Sequence, residues 1–222
     1  MAFRYSPKIV TDGLVLCLDA ANPRSFVSGS TTWNDLTKNL NNGVLTNGPT
    51  FISDKGGCVV FDGSNDYVNL GPNINLTTGL TYNVWLKTTS NISHLIGAYN
   101  NSSPFPGWSV AIGINVPDGV ICWWSGGAWK NSGMVINTNQ ILNVTVTYEN
   151  GDIIFYLNGL YYSTVSSSTI STYTGDKFLG GRANDGQTPF LGNMYNTSIY
   201  DRKLTSSEVL QNYNATKSRF GL

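Results

Sequence analysis

The chain is patterned with period two. In the run NVTVTY, Val144, Val146 and Tyr148 alternate with Asn143, Thr145 and Thr147, the spacing of a half-buried strand with an apolar core face and a hydroxyl face. That strand turns at Asn150-Gly151 into DIIFYL and again at Asn158-Gly159 into LYYSTV, which predicts a three-stranded meander. Similar runs rich in β-branched and aromatic residues cover Gly57 to Phe61 and Leu80 to Leu86. Asn-Gly or Asp-Gly pairs stand at 12–13, 42–43, 47–48, 62–63, 118–119, 150–151, 158–159 and 185–186. Each tolerates positive φ and is expected to close a tight hairpin. Many short strands between regular turn signals predict an all-β sandwich or barrel. The one convincing helix is LTSSEVLQNYNA, with Thr205 as N-cap and Glu208 three residues on, a reciprocal capping pair. Its apolar stripe, Val209, Leu210 and Tyr213, is expected to close an open end of the sandwich.

Composition narrows the picture. At 222 residues the chain is admissible as one large all-β domain. Hydrophobic residues make up 41% but charged residues only 12%, against a usual share of about 25%. Asn outnumbers even the 24 Gly, so the exposed faces are amides and hydroxyls. Thirteen basic and thirteen acidic residues cancel. No basic stripe is present to neutralise phosphates, which argues against nucleic acid as a partner. The longest apolar stretches, such as Leu14 to Leu18, fall far short of the ~20 residues a membrane helix needs, so no membrane insertion is expected. MAFRYSPKIVTDG has no apolar segment before Pro7 and Asp12, so no secretory signal is read there. Cys17, Cys58 and Cys122 are odd in number and far apart, and are read as buried thiols.

Four blocks in order, GGCVVFDGSNDYVNLG, GLTYNVWLKTTS, ILNVTVTYENGDIIFYLNGLYYST and KFLGGRANDGQTPFLGNMYNTSIYDRKLTSSEVLQNYNA, resemble the concanavalin A-like, laminin-G-like jelly-roll domains. The N-terminal blocks GLVLCLDAANPRSF and TTWNDLTKNLNNGVLTNGPTF are similar to the lead-in of such domains in tailed bacteriophages, cyanophages especially. The resemblance implies a two-sheet antiparallel jelly roll of about six or seven strands per sheet. It implies no single function, since lectins, adhesion modules, hydrolases and virion proteins share the fold. Residues 1–13 are read as a docking arm anchored by Phe3 and Tyr5, and 14–222 as the jelly-roll domain.

Polysaccharide-cleaving members of the superfamily carry paired carboxylates on one strand. Here the two Glu are Glu149, at a hairpin turn, and Glu208, in the helix cap, and no Glu-x-Asp-x-x-Glu pattern exists. His94, the single histidine, comes with neither a nucleophile-elbow pattern nor a second imidazole. The chain is therefore not expected to be an enzyme. Laminin-G-like domains often hold calcium at a loop edge, and a hard cation suits oxygen ligands. Candidate ligands are Asp62, Asn65 and Asp66 in FDGSND, and Asn184 and Asp185 in RANDG, although both pairs of Asp-Gly are equally turn formers. No cofactor is required by this reading, and calcium would be an aid.

ICWWSGGAWK is the segment most suggestive of a binding surface. With Gly126-Gly127 as a two-residue loop, Ser125 faces Ala128 and Trp124 faces Trp129 on one side of the sheet, with Trp123 on the other. Indole planes stack on sugar rings, and Trp124, Trp129 and Trp108 are the candidate glycan contacts; the alternative is core packing plus a protein contact. The favoured function is a non-enzymatic module displayed on a phage virion as a decoration, tail or baseplate-associated protein, in contact with other virion proteins and with copies of itself. Glycan binding for host attachment, calcium-assisted or not, is the second reading, and a polysaccharide-active enzyme the third.

Overall fold

The structure, a computed structural model, describes residues 7–76, 78–99, 106–167, 170, 172–182 and 188–222. Sixteen strands among these residues form two antiparallel eight-stranded sheets. The first runs β14 (Leu160–Ser166), β13 (Asp152–Leu157), β12 (Ile141–Glu149), β7 (Gly79–Thr88), β16 (Leu191–Tyr200), β5 (Cys58–Asp62) and β4 (Thr50–Ile52), with β1 (Leu14–Asp19) also on β16. The second runs β11 (Ala128–Val135), β10 (Val120–Ser125), β9 (Gly107–Ile112), β8 (Ser93–Tyr99), β15 (Phe178–Leu179), β6 (Tyr67–Asn69), β3 (Gly43–Thr46) and β2 (Thr32–Trp33). The predicted all-β jelly-roll sandwich is what forms, with each sheet broader than the resemblance implied.

The meander follows the predicted turns. Asn150 and Gly151 have φ of 52° and 90°, and Asn158 and Gly159 have 51° and 77°. Both residues of each pair are left-handed, as a type I′ hairpin requires. Other pairs act differently. Asn42-Gly43 leads into β3, and Asn47-Gly48 carries the chain from β3 in one sheet to β4 in the other.

Between the sheets, Val144, Val146, Tyr148 and Phe155 from one side meet Ile96, Val110, Ile121 and Trp123 from the other in one continuous core. Burial of this much apolar surface is the main favourable term in folding. Trp123 lies parallel to Trp108 at 5.7 Å and to Tyr148 at 5.6 Å, an aromatic stack across the two sheets.

The hydroxyl face of β12 departs from expectation. Asn143, Thr145 and Thr147 are as buried as their apolar neighbours, because a further layer covers the outside of the first sheet. Helix α1 (Ser206–Thr216) lies there, over a face rather than an open end. Its cap is the predicted reciprocal pair: Glu208 N donates to Thr205 Oγ1, and Thr205 N donates to a Glu208 carboxylate oxygen. The buried helix residues are Val209 and Asn212, while Leu210 faces solvent. Val209 joins Val10, Tyr156, Tyr200 and Leu204 in an outer cluster. Asn212 accepts from Val10 N at 2.8 Å and donates to Tyr200 Oη at 3.0 Å, and Gln211 donates to Lys8 O. Residues 8–10 of the expected docking arm are thus tied to the chain's own helix. Phe3 and Tyr5 lie outside the described residues.

Candidate functional site

The hairpin of β10 and β11 forms as its sequence predicts. Gly126 and Gly127 take φ of 58° and 81°, Ser125 pairs with Ala128, and Trp124 pairs with Trp129. Continued across the second sheet, this register places Trp129, Trp124, Ser109, Gly97, Phe178, Asn69 and Val44 in one row on the outer face. The tryptophans sit at one end of that row, and Asn69 and Val44 near the other.

The three candidate tryptophans differ in fate. Trp108 pairs with Ser125 rather than Trp124, so it projects into the core, where it is 3% exposed and stacked on Trp123. It is no part of an accessible site. Trp124 is on the outer face but only 4% exposed, with Tyr99 over it at 4.2 Å between ring centres. Trp129 is half-buried and is the ring that reaches the surface. His94 packs edge-on to Trp129 at 5.7 Å, and its ring nitrogens lie 2.5 Å from Thr188 Oγ1 and 3.3 Å from Tyr99 Oη. These contacts fix the imidazole as a support beneath Trp129. Tyr99 and His94 are members of the site that sequence reasoning missed, since the bulge in β8 between His94 and Ile96 sets which side chains face outward.

Gly97 explains how the face is roofed. A Cβ there would lie 2.3 Å from the carbonyl oxygen and 2.7 Å from the Cα of Arg182. The backbone after β15 therefore rests directly on the sheet, a close approach that only glycine admits.

Asp62, Asn65 and Asp66, three of the calcium candidates, hold their own turn together. Asp66 Oδ2 accepts from Asp62 N at 3.0 Å, Asp62 Oδ1 accepts from Ser64 N at 2.7 Å, and Asn65 O accepts from Asn47 Nδ2. Burial raises the Asp66 carboxyl above its usual range. A calcium cage needs six to eight oxygens, and these three residues, two of whose carboxylate oxygens already accept backbone N–H groups, supply too few by themselves. Among the described residues no group of three or more His, Cys, Asp or Glu is gathered as for a metal. Asn184 and Asp185 lie outside the described residues.

The carboxylates of Glu149 and Glu208 stand apart in role. Glu149 is at the β12–β13 turn opposite Asp152. Glu208 receives Arg202 Nη1 at 3.0 Å, Arg202 Nη2 at 2.6 Å and Thr205 N at 2.8 Å, which pulls its carboxyl down to about 2. Burial disfavours the thiolate form of all three cysteines. Burial, with Asp19 and Asp35 nearby, pushes Cys17 up to about 12, and burial does the same to Cys58 and Cys122. Cys17 is half-buried, unlike the other two, and lines a cavity of about 170 Å³ under α1 with Asn83, Trp85 and Asn196.

Two layered sheets and a tryptophan at one end of an outer face define a lectin-like jelly roll. Residues 62–210 match the concanavalin A-like lectin/glucanases superfamily, and the chain belongs to it. Among curated proteins none matches. Solved structures similar in fold include the binding domain of Paraclostridial Mosquitocidal Protein 1, at 18% identity and TM-score 0.69 over 91% of this chain. This chain spans about half of that one, at 52%. Domain 4 of AbnA, an extracellular arabinanase from Geobacillus stearothermophilus, solved with arabinotriose, is 17% identical at TM-score 0.69 and is covered over 98% of its length by 90% of this chain. Trypanosoma rangeli sialidase with sialic acid is 13% identical at TM-score 0.70, with 95% of this chain and 34% of that one aligned.

Proposed function

We propose that this chain is a non-catalytic, carbohydrate-binding jelly-roll module displayed on a tailed-phage particle. The observation that carries the binding half is the half-buried Trp129 ring, opposite Trp124 in the strand register and braced edge-on by His94, at the edge of the outer sheet face. A ring braced edge-on by His94 can present an apolar plane with less conformational freedom to lose on binding. Arabinotriose in the structure of AbnA Domain 4, a neighbour of almost equal extent, supports a sugar as the ligand. The non-catalytic half is supported by Glu208, locked in its pair with Arg202, and by Glu149, which stands at a hairpin turn. The phage setting rests on the lead-in resemblance of GLVLCLDAANPRSF.

Multimerised protein on a glycan array tests the binding, since weak single sites hold a surface only in several copies. Binding to at least one neutral glycan, sharply weakened in Trp129→Ala, is the expected result. Silence across the array, or binding indifferent to Trp129→Ala, would refute it. A chelator is expected to leave the signal unchanged; loss of signal would assign calcium a role. Mass spectrometry of purified source particles tests the setting, and absence of the chain from them would end that claim.

A further inference from the structure

Far from Trp129, at the sandwich rim where residues 35–42 face residues 71–76, lies a cleft of about 370 Å³. It is lined by Asn39, Asn41, Asn73, Asn75, Asp201 and the start of β1. It shares Asn41 and Asn73 with an adjoining depression of about 260 Å³ that includes Leu40, Val44 and Asn69. Together they fall in the size range of small-ligand clefts.

Both walls are built before any ligand arrives. On one side the Asp35 carboxylate, 6% exposed, accepts from Cys17 N, Thr37 N, Asn41 N and Thr37 Oγ1 at 2.7 to 3.0 Å, pinning the loop. Asn39 and Asn41 both donate to Val15 O, at 3.1 and 2.9 Å, which turns their amide nitrogens inward and leaves their carbonyl oxygens as acceptors. Between them Leu40 is held at φ 55° and is 70% exposed. A branched apolar residue in left-handed backbone and in water is strained, and such strain persists only where the surroundings enforce it. On the other side Lys177 Nζ reaches Pro72 O at 2.8 Å, Tyr173 O at 3.2 Å and Asn75 Oδ1 at 3.5 Å. Asn75 therefore offers its N–H₂ outward, and Asn73 is exposed between.

We infer that this cleft is a second ligand site, selective for neutral, hydroxyl-rich saccharides. Fixed amide acceptors, amide donors and the Asp201 carboxylate match hydroxyl groups, which both donate and accept. Leu40 and Val44 offer an apolar flank to the C–H side of a sugar ring. Among the described residues no cation lines the cleft, Lys177 being buried behind Asn75 and engaged with three oxygens, so an anionic sulfated or sialylated glycan meets only Asp201, which repels it. Asn69 and Val44 belong to the same outer-face row as Trp124 and Trp129. Four strand spacings of ~4.8 Å separate Asn69 from Trp124, about 19 Å. Two weak sites so placed face one glycan surface together, and their affinities compound. The saccharide class rests on the carbohydrate-binding reading above; the location does not.

Nuclear magnetic resonance of isotope-labelled protein tests it, with maltotriose, xylotriose and chitotriose as neutral probes and sialyllactose as the anionic one. At least one neutral trisaccharide at millimolar concentration should move the side-chain amide signals of Asn73 and Asn75. The double variant Asn73→Ala, Asp201→Asn should weaken that titration by about tenfold, and Trp129→Ala should change it by less than about twofold. Both altered residues are exposed, and the spectra themselves report whether the variants are folded. Unmoved Asn73 and Asn75 signals with all three neutral probes would overturn the site. So would shifts that vanish in Trp129→Ala but survive the double variant, since they would belong to the aromatic end. Stronger shifts with sialyllactose would overturn the neutral selectivity. Binding at Asn73 without binding at Trp129, or the reverse, separates the failure of one site from that of the other.

Discussion

Trp123 and Trp124 are adjacent in the chain and opposite in consequence. Strand pleating sends the first into the inter-sheet stack and the second to the outer face. Trp123→Ala removes a fully buried indole from between Trp108 and Tyr148 and should cost about 3–5 kcal/mol in denaturant unfolding. Trp129→Ala should leave the unfolding midpoint close to the wild type while sharply weakening the glycan-array signal. Glu208 supplies a pH signature. Its carboxyl falls from an ordinary 4.5 to about 2 in the fold, with the Arg202 hydrogen bonds as the first cause. Its contribution is complete above about 4.5 and disappears as pH drops toward about 2, because the unfolded chain takes up the proton first. Melting temperature followed across that window should fall less steeply in Glu208→Gln.

At the scale of elements, what was local in sequence was legible. Paired left-handed residues at Asn150-Gly151, Asn158-Gly159 and Gly126-Gly127 fixed three hairpins and, through them, the Trp124–Trp129 pairing. The Thr205–Glu208 cap was equally local, and Thr205→Ala should cost about 1 kcal/mol, read from thermal unfolding. What depended on distant chain was not legible. Asn143 and Thr145 read as a wetted face, yet the helix and residues 8–10, from both ends of the chain, cover that side of the sheet. Trp108 alternates plausibly with either face until its partner is known, and only the β9–β10 register assigns it to the core. The Asn-lined cleft joins loops separated by thirty residues and more, so no single window of sequence displays it.

The whole molecule is uncharged in sum, with thirteen groups of each sign, and the glycan proposed for both sites is itself neutral. Association with a neutral glycan should therefore be insensitive to ionic strength, which surface plasmon resonance in low and high salt would show. A strong salt dependence would point to an anionic ligand instead. The order of strands carries a consequence in time. β16 lies between β7 and β5 and also holds β1, yet it is the last strand along the chain. Until Leu191–Tyr200 arrives, the first sheet exists as two fragments, β14-β13-β12-β7 and β5-β4, with β1 joined to neither. A nascent chain therefore waits with bare edges on β5 and β7, the kind of surface that pairs with strangers. The insertion of β16 turns these pieces into one cooperative unit, so native structure should appear late and within milliseconds to seconds rather than microseconds.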